Sequence, residues 1–432
     1  MQKINVVTLG CAKNLVDSEV LMRQARAGGF EILHDSDDTS ARIVIINTCG
    51  FIRDAKQESI DTILEWVDMK ERGDIDKLFV MGCLSERYKE DLRKEIPEVD
   101  QYFGVNDIAR VIESLGAQYR EGLVGERLLA TPHHYAYLKI SEGCDRKCSF
   151  CAIPLIRGRQ VSRPIEALVR ESEFLAGQGV RELILIAQDL TAYGTDLYKR
   201  QALPELLDQL VPIKGIEWIR LHYTYPAGFP VEVLDRIRET DKICKYLDIP
   251  FQHIADNVLK MMHRGITRIE TLRLIDLIRD RVPGIAIRTT LLTGHPGESE
   301  KAFDELKAFV RQQQFERAGV FTYSREEGTY AAGHFRDEIP EEVKLERLEE
   351  IMAIQDEISF SRNRELVGQR IKVIVDRQEG EYMVGRTAHD SPEIDQEVLI
   401  IPDAGINPGS FQVVQITGAE MHDLFGEVTR EE

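Results

Sequence analysis

The sequence predicts an α/β protein in three parts: a doubly wound amino-terminal domain over residues 1–120, a central partial or open β/α barrel over 130–365, and a small carboxyl-terminal β-barrel over 366–432. Three observations carry this reading. Near-continuous apolar runs alternate with helical patterns along the first part. Six strand-like runs separated by helical patterns follow between residues 136 and 324. After a long charged helix, the texture changes to five short β segments broken by glycine, proline and aspartate.

In the first part, residues 4–10 form a strand that ends in Cys11, with a helix expected from about Asp17 to Ala27. Residues 42–48 run into Cys49, with a helix over 52–69, and residues 77–82 run into Cys83, with a helix after Ser85. Strands that are almost wholly apolar belong to a parallel sheet covered on both faces. All three cysteines fall just past the carboxyl end of a strand, where open α/β sheets gather ligands. One cysteine there is explained by its small apolar side chain. Three of three point to a three-thiolate site on Cys11, Cys49 and Cys83. A helix follows Val105, and residues 117–132 lack periodicity and read as a linker.

The second part begins with a strand at 136–140, whose following loop carries Cys144-Asp145-Arg146-Lys147-Cys148-Ser149-Phe150-Cys151. Further strands are expected at 182–188, 218–223, 246–251, 286–294 and 318–324, with helices such as 165–176, 268–281 and 300–314 between them. In such a barrel the loops after the strands make the active face. Those loops hold Gln188, Asp189 and Tyr193; Arg220, His222 and Tyr223; Gln252 and His253; Arg288, Thr289 and the turn 294–298. Their cations, amides and hydroxyls suit the carboxylate, amine and ribose of a nucleoside-like cofactor, and each has the competing reading of a satisfied core or surface polar group. Arg157, Arg159 and Arg163 either reach the cofactor or pair with Glu142 and Asp145. Cys244 lies in a helix-like stretch and reads as packing.

Zinc, a redox disulfide and an iron–sulfur cluster compete for Cys144, Cys148 and Cys151. Structural zinc needs four closed ligands, and no further cysteine or histidine stands at ribbon or finger spacing. A disulfide framework is a poor match for 432 residues with seven cysteines. The iron–sulfur reading fits best, and three ligands leave one iron open for chemistry.

Composition limits the partners. The net charge is −19, from 55 Lys+Arg against 74 Asp+Glu. A chain gripping nucleic acid over a long surface needs a basic excess, because phosphate neutralisation supplies most of that affinity. From residue 366 onward, five Lys+Arg stand against thirteen Asp+Glu, a balance of −8. The charge of the preceding helix, 341–366, reads as a solvated face. No apolar run reaches the roughly 18 residues of a membrane span, and the start runs directly into a strand rather than a signal peptide. No membrane and a cytoplasmic location are expected.

The triad, with Phe150 before its last cysteine and a β/α barrel behind it, resembles the radical S-adenosylmethionine (SAM) enzymes. The flanking text, Gly10-Cys11-Ala12-Lys13-Asn14-Leu15-Val16-Asp17-Ser18-Glu19, Ser141-Glu142-Gly143-Cys144, Ile153-Pro154 with Arg157-Gly158, and Ser162-Arg163, is similar to their methylthiotransferase family over essentially the whole chain. The resemblance implies a methylthiotransferase domain, a radical SAM domain and a TRAM domain. It implies two [4Fe–4S] clusters, one on Cys144, Cys148 and Cys151 and one on Cys11, Cys49 and Cys83. It also implies SAM as cofactor, with Gln188, Asp189, Arg220, Gln252, His253, Arg288 and Thr289 as candidates around it.

The tRNA-modifying branch usually has Gln-Met-Asn after its first cysteine; Ala12-Lys13-Asn14 and the acidic tail instead resemble the branch that methylthiolates the β-carbon of an aspartate in the twelfth small-subunit ribosomal protein. That substrate is strongly basic, which suits an acidic barrel. The expected reaction cleaves SAM reductively to a 5′-deoxyadenosyl radical, fed by an electron donor such as flavodoxin or ferredoxin. The alternatives are the same chemistry on tRNA, against which the charge argues, and a non-catalytic electron-transfer or RNA-binding cluster protein.

Overall fold

The structure is a computed structural model and describes residues 1–38, 40–402 and 405–429. Its amino-terminal sheet is parallel throughout, built from β1 (Lys3–Thr8), β2 (Glu31–His34), β3 (Ile43–Thr48), β4 (Lys77–Gly82) and β5 (Gln101–Tyr102) in the order β2-β1-β3-β4-β5. Helices α1 (Ala12–Ala27), α2 (Arg53–Glu71), α3 (Cys83–Glu95) and α4 (Ile108–Ser114) cover it. β3 is buried along its whole length, so its unbroken Ile43-Val44-Ile45-Ile46 run feeds a core on each face. The short β2 and β5 carry no clear apolar pattern and escape the sequence reading.

The linker is held at both ends of its reach. Arg23 bonds Glu126, Gln24 bonds the backbone of Arg120, and the buried Arg127 joins Glu19 of α1 to Glu171 of the next domain.

In the central domain β6 (Tyr135–Lys139) is followed by a small hairpin, β7 (Ser141–Glu142) with β8 (Val161–Ser162), around the short helix α5 (Ile153–Ile156). Then come α6 (Ile165–Gly177), β9 (Glu182–Ile186), α7 (Leu203–Leu210), β10 (Trp218–Leu221), α8 (Glu232–Glu239) and β11 (Ile243–Asp248). They are followed by α9 (Asp256–Met261), α10 (Arg268–Arg281), β12 (Ala286–Thr293), α11 (Glu300–Gln313), β13 (Arg317–Thr322) and α12 (Tyr330–His334). The six principal strands pair in parallel in chain order, β6-β9-β10-β11-β12-β13, and the sheet stays open. Cys244 lies in β11 rather than in a helix; it is buried against Trp218 and Tyr246, as a packing residue is.

α13 (Glu341–Leu366) leads to the last domain. Its charge is only partly solvated. Lys344 is buried and bonds Asp337 at 2.8 Å, and Arg347 is buried against Glu298 at 2.8 Å, so the amino-terminal end of α13 clamps the 294–298 turn. A Cβ on Gly294 would meet Lys344 at 2.2 Å, which fixes glycine there.

β14 (Arg370–Glu379), β15 (Tyr382–Thr387), β16 (Glu397–Ile401), β17 (Phe411–Ala419) and β18 (Asp423–Val428) close a barrel in the order β14-β15-β16-β18-β17. It docks on the barrel domain through buried charge. Arg386 joins Asp376 at 2.6 Å and Glu182 at 2.8 Å, and Asp390 pairs with Arg317. Asp376, Asp390 and Asp395 are therefore spent inside the molecule, and the acidity offered to a partner is smaller than the sequence balance of −8.

Candidate active site

Cys144, Cys148 and Cys151 lie on the loop after β7, at the carboxyl-terminal mouth of the open barrel. The loop begins at Gly143, whose φ of +72° is left-handed, and a Cβ there would meet the Arg159 carbonyl at 2.1 Å. Only glycine fits. The Cys144 N–H donates to the Gly158 carbonyl at 3.1 Å, and Ser149 holds the loop between Met262 and Ala331. Phe150 packs edge-on to His295, 6.1 Å between centroids, which ties the loop to the 294–298 turn.

The sulfurs are met by donors. The Arg146 N–H reaches Cys144 Sγ at 3.4 Å, Arg264 Nη1 reaches Cys148 Sγ at 3.4 Å, and the Tyr225 hydroxyl lies 3.6 Å from Cys148 Sγ. The Tyr225 ring is sandwiched between the Arg146 and Arg264 guanidiniums, 4.0 and 4.3 Å from its centroid. Burial pushes the Cys144 thiol up to about 11 and the Cys151 thiol up to about 12, so cluster loading must displace their protons.

Cys11, Cys49 and Cys83 follow β1, β3 and β4, which are neighbours in the sheet. Intervals that look unrelated in the sequence thus become three adjacent strand ends. Gly10 has φ +91°, and a Cβ on it would meet Cys49 Cβ at 2.7 Å. Cys49 is anchored by its N–H to Ser59 Oγ at 3.0 Å, and Cys11 and Cys83 open helices α1 and α3, whose dipoles favour thiolates. Burial nevertheless pushes the Cys83 thiol up to about 11, with Arg157 pulling the other way.

A buried charge network joins the two triads. Arg157, which follows α5, donates from Nη1 to Asp17 at 2.8 Å and to Glu142 at 3.0 Å. From Nη2 it reaches Asn14 Oδ1 at 2.5 Å and Cys83 Sγ at 3.4 Å. Lys139 pairs with the same Asp17 and Glu142, and Gln188 Nε2 donates to Glu142 at 2.7 Å. Burial alone would raise the Glu142 carboxyl, but Lys139 and Arg157 hold it down at about 2. Both triads therefore face one interface between the first two domains.

Among the described residues, no three ligating side chains converge closely enough for a single metal ion. A [4Fe–4S] cube spreads its thiolates over separate irons rather than gathering them on one atom. The donor set fits the cluster: cysteines only, with N–H groups aimed at the sulfurs. Gln188 Oε1 is buried with no partner among the described residues, a free acceptor beside Glu142.

The polar residues expected around the cofactor divide into two groups. Gln188 and Asp189 stand at the mouth; Asp189 accepts from Arg146 at 2.6 Å and lines, with Arg146, Gln160 and Ala227, a cleft of about 440 Å³. Gln252 extends the sheet through its backbone to Thr290 and Leu292, with its side chain half-buried. A larger hollow of about 640 Å³ at Glu113 and Tyr119 contains none of the cysteines.

The other four all have partners within the protein. Arg220 is fully buried and donates to Glu182 at 2.7 Å and to the backbone of Ala388 and Thr387, so it serves the docking of the last domain. Arg288 is shared between Asp248 and Asp395, both at 3.2 Å. The Thr289 hydroxyl donates to the Ile249 carbonyl, and His253 is buried, 3.4 Å from Glu298. Of the arginines after the triad, Arg157 pairs with Glu142 and Arg159 with Asp145, while Arg163 turns instead to Glu171.

Sequence reasoning missed Lys13, Asp17, Lys139, Tyr225 and Arg264 as site residues. Lys13 and Asp17 sit in the text after Cys11 and were within reach of a motif argument. Tyr225 and Arg264 lie 77 and 116 residues from Cys148 and give no local signal. The Lys13 ammonium lies 3.1 Å from the centroid of the Tyr223 ring, and desolvation brings its pKa down to about 8.

The chain matches the Radical SAM superfamily over residues 138–310, an uncharacterized protein family, UPF0004, over 3–104, and the TRAM domain over 367–429. Fold and site together define a radical SAM enzyme. It is 56% identical over 426 residues to the Bacteroides fragilis ribosomal protein uS12 methylthiotransferase RimO, covering 98% of this chain and 99% of that one. The RimO proteins of Flavobacterium psychrophilum, 57% identical with 98% of each chain covered, and Cytophaga hutchinsonii, 54% identical with 99% and 98% covered, agree. The chain belongs to the RimO family of methylthiotransferases. Its fold resembles the radical SAM methyltransferase TsrM of Kitasatospora setae, at 16% identity and a TM-score of 0.55 over 86% of this chain and 79% of that one.

Proposed function

We propose that this protein adds a methylthio group to the β-carbon of an aspartate in ribosomal protein uS12, using SAM and two [4Fe–4S] clusters. The observation that carries the reading is the pair of cysteine triads at one domain interface, joined by Arg157. Cys144, Cys148 and Cys151 would hold the cluster that engages SAM, and Cys11, Cys49 and Cys83 the cluster that presents sulfur. When bound, these groups supply the electron, the hydrogen abstraction and the methyl donor.

The chain's own residues position them. Arg264 stabilises negative charge on Cys148 Sγ, Tyr225 donates its hydroxyl to the Arg264 carbonyl at 2.8 Å and so holds that arginine, and Arg146, fixed on Asp189, holds the loop between Cys144 and Cys148. Gln188, oriented by Glu142, offers its free carbonyl at the barrel mouth. The Asp17–Arg157–Glu142–Lys139 network ties the helix that opens at Cys11 to the loop of the barrel triad through paired charge.

A flavodoxin or ferredoxin is the expected electron donor, and the cytoplasm the expected location. No helix among the described residues is long and apolar enough to cross a membrane. The experiment is intact-mass analysis of purified uS12 and nucleoside analysis of tRNA, both incubated with the cluster-reconstituted enzyme, dithionite and SAM. A mass gain on uS12 equal to SCH3 replacing H supports the reading; modification of tRNA alone overturns it.

A further inference from the structure

Lys13 is a partly buried, uncommitted cation of the triad interface. The buried and half-buried cations around it have anionic partners or a carbonyl: Lys139 and Arg157 with Asp17 and Glu142, Arg146 with Asp189, Arg288 with Asp248 and Asp395, and Arg264 with the Pro250 carbonyl. Lys13 has no ion-pair or hydrogen-bond partner among the described residues. Its Nζ instead rests on the Tyr223 ring, 3.1 Å from the centroid.

The platform is itself constrained. Tyr223 follows β10 with a left-handed φ of +61°, and its N–H donates to Asp248 Oδ2 at 3.0 Å. A bulky residue keeps such a conformation only where its surroundings hold it, and such strain concentrates at ligand sites. Lys13 comes from the first turn of α1, immediately behind Cys11, whereas Tyr223 belongs to the barrel mouth. Their contact therefore sets an ammonium from the helix that opens at Cys11 against the mouth of the barrel.

We propose that Lys13 binds the side-chain carboxylate of the substrate aspartate and so holds its β-carbon between the two triads, with Tyr223 as the platform for the ammonium. The inference rests on the aspartate-substrate reading above. A carboxylate entering a water-poor interface needs a countercharge, and a charge-assisted N–H···O bond gives both affinity and direction. A nucleobase presents no such anion at the same place.

The test uses full-length, cluster-loaded enzyme, wild type and Lys13→Met, Lys13→Arg and Tyr223→Leu variants. Equilibrium binding to uS12 is measured in the presence of SAM, alongside binding to uS12 in which the modified aspartate, mapped by fragmentation of the product, is replaced by asparagine. Iron content and the electron paramagnetic resonance spectrum monitor the clusters. The wild type is expected to bind the aspartate form about tenfold or more tightly than the asparagine form. Lys13→Met should erase that ratio with both clusters intact, Lys13→Arg should keep part of it, and Tyr223→Leu should lower it.

An unchanged ratio in Lys13→Met overturns the proposal, as does a raised KM for SAM with discrimination intact. If Lys13→Met loads iron poorly, the ratio in Tyr223→Leu decides in the same way. Failure of the wild type to modify uS12 at all is seen before any variant is compared, and overturns the aspartate reading itself.

Discussion

Arg157 donates to Asp17 at 2.8 Å across the boundary between the first two domains. The arginine comes from the loop that leaves the barrel triad and the aspartate from the helix that opens at Cys11, so one ion pair sets two metal sites against each other. Breaking one side of a buried pair leaves the other uncompensated, at a cost of about 3–5 kcal/mol. Arg157→Ala should lower stability by that order in denaturant unfolding. Asp17→Asn should cost less, because Lys139 and Arg157 keep Glu142. An unchanged transition in Arg157→Ala would contradict the bridging role.

Gly143→Ala places a methyl group 2.1 Å from the Arg159 carbonyl at a left-handed φ. The reconstituted variant should lose iron from the barrel triad while keeping that of the amino-terminal one. Iron analysis combined with spectroscopy reads this directly, and full loading would contradict the account of the loop.

Arg220, a candidate at the cofactor, bonds Glu182 and the backbone of Ala388 and Thr387 in the carboxyl-terminal barrel. Arg220→Met should therefore destabilise the protein, by less than the roughly 3–5 kcal/mol of a fully broken buried pair because Arg386 still holds Glu182, yet leave the KM for SAM unchanged. A raised KM with native stability would return Arg220 to the cofactor.

The architecture was legible because its signals are local. Apolar runs such as Ile43–Ile46 declare strands buried on both faces, and the switch to short, interrupted β segments after Leu366 declares a different kind of domain. The cysteines were legible for the same reason, since each sits at a strand end or in one tight loop. The barrel arginines were not. Strand residues alternate in direction, and whether Arg220 or Arg288 faces a cofactor or a neighbouring domain depends on how the last domain docks, through Ala388 and Asp395 far along the chain. Lys13 was visible in a motif, but its seat on the Tyr223 ring, without a direct ion pair, is a property of the interface alone.

Acid should loosen that docking interface. Burial holds His222 and His389 below their usual pKa, so their contribution is complete above about 6.5 and is lost as the pH falls below it. Glu182 and Asp376 are buried, but Arg386 leads the neighbours that hold both carboxyls low; their contribution is present above about 4 and lost below it. Asp395, raised by burial, runs the other way and offsets part of the loss. The urea midpoint should fall between about pH 7.5 and 5.5 and fall further below about 4. A midpoint that rises on acidification would contradict this assignment.

The central claim is that two triads divide the work at one interface. Cys148→Ala and Cys49→Ala, each reconstituted and incubated with uS12, dithionite and SAM, test it when 5′-deoxyadenosine and methylthiolated uS12 are measured together. Cys148→Ala should form neither product, and Cys49→Ala should still form 5′-deoxyadenosine without methylthiolated uS12. Full methylthiolation by Cys49→Ala would contradict the account.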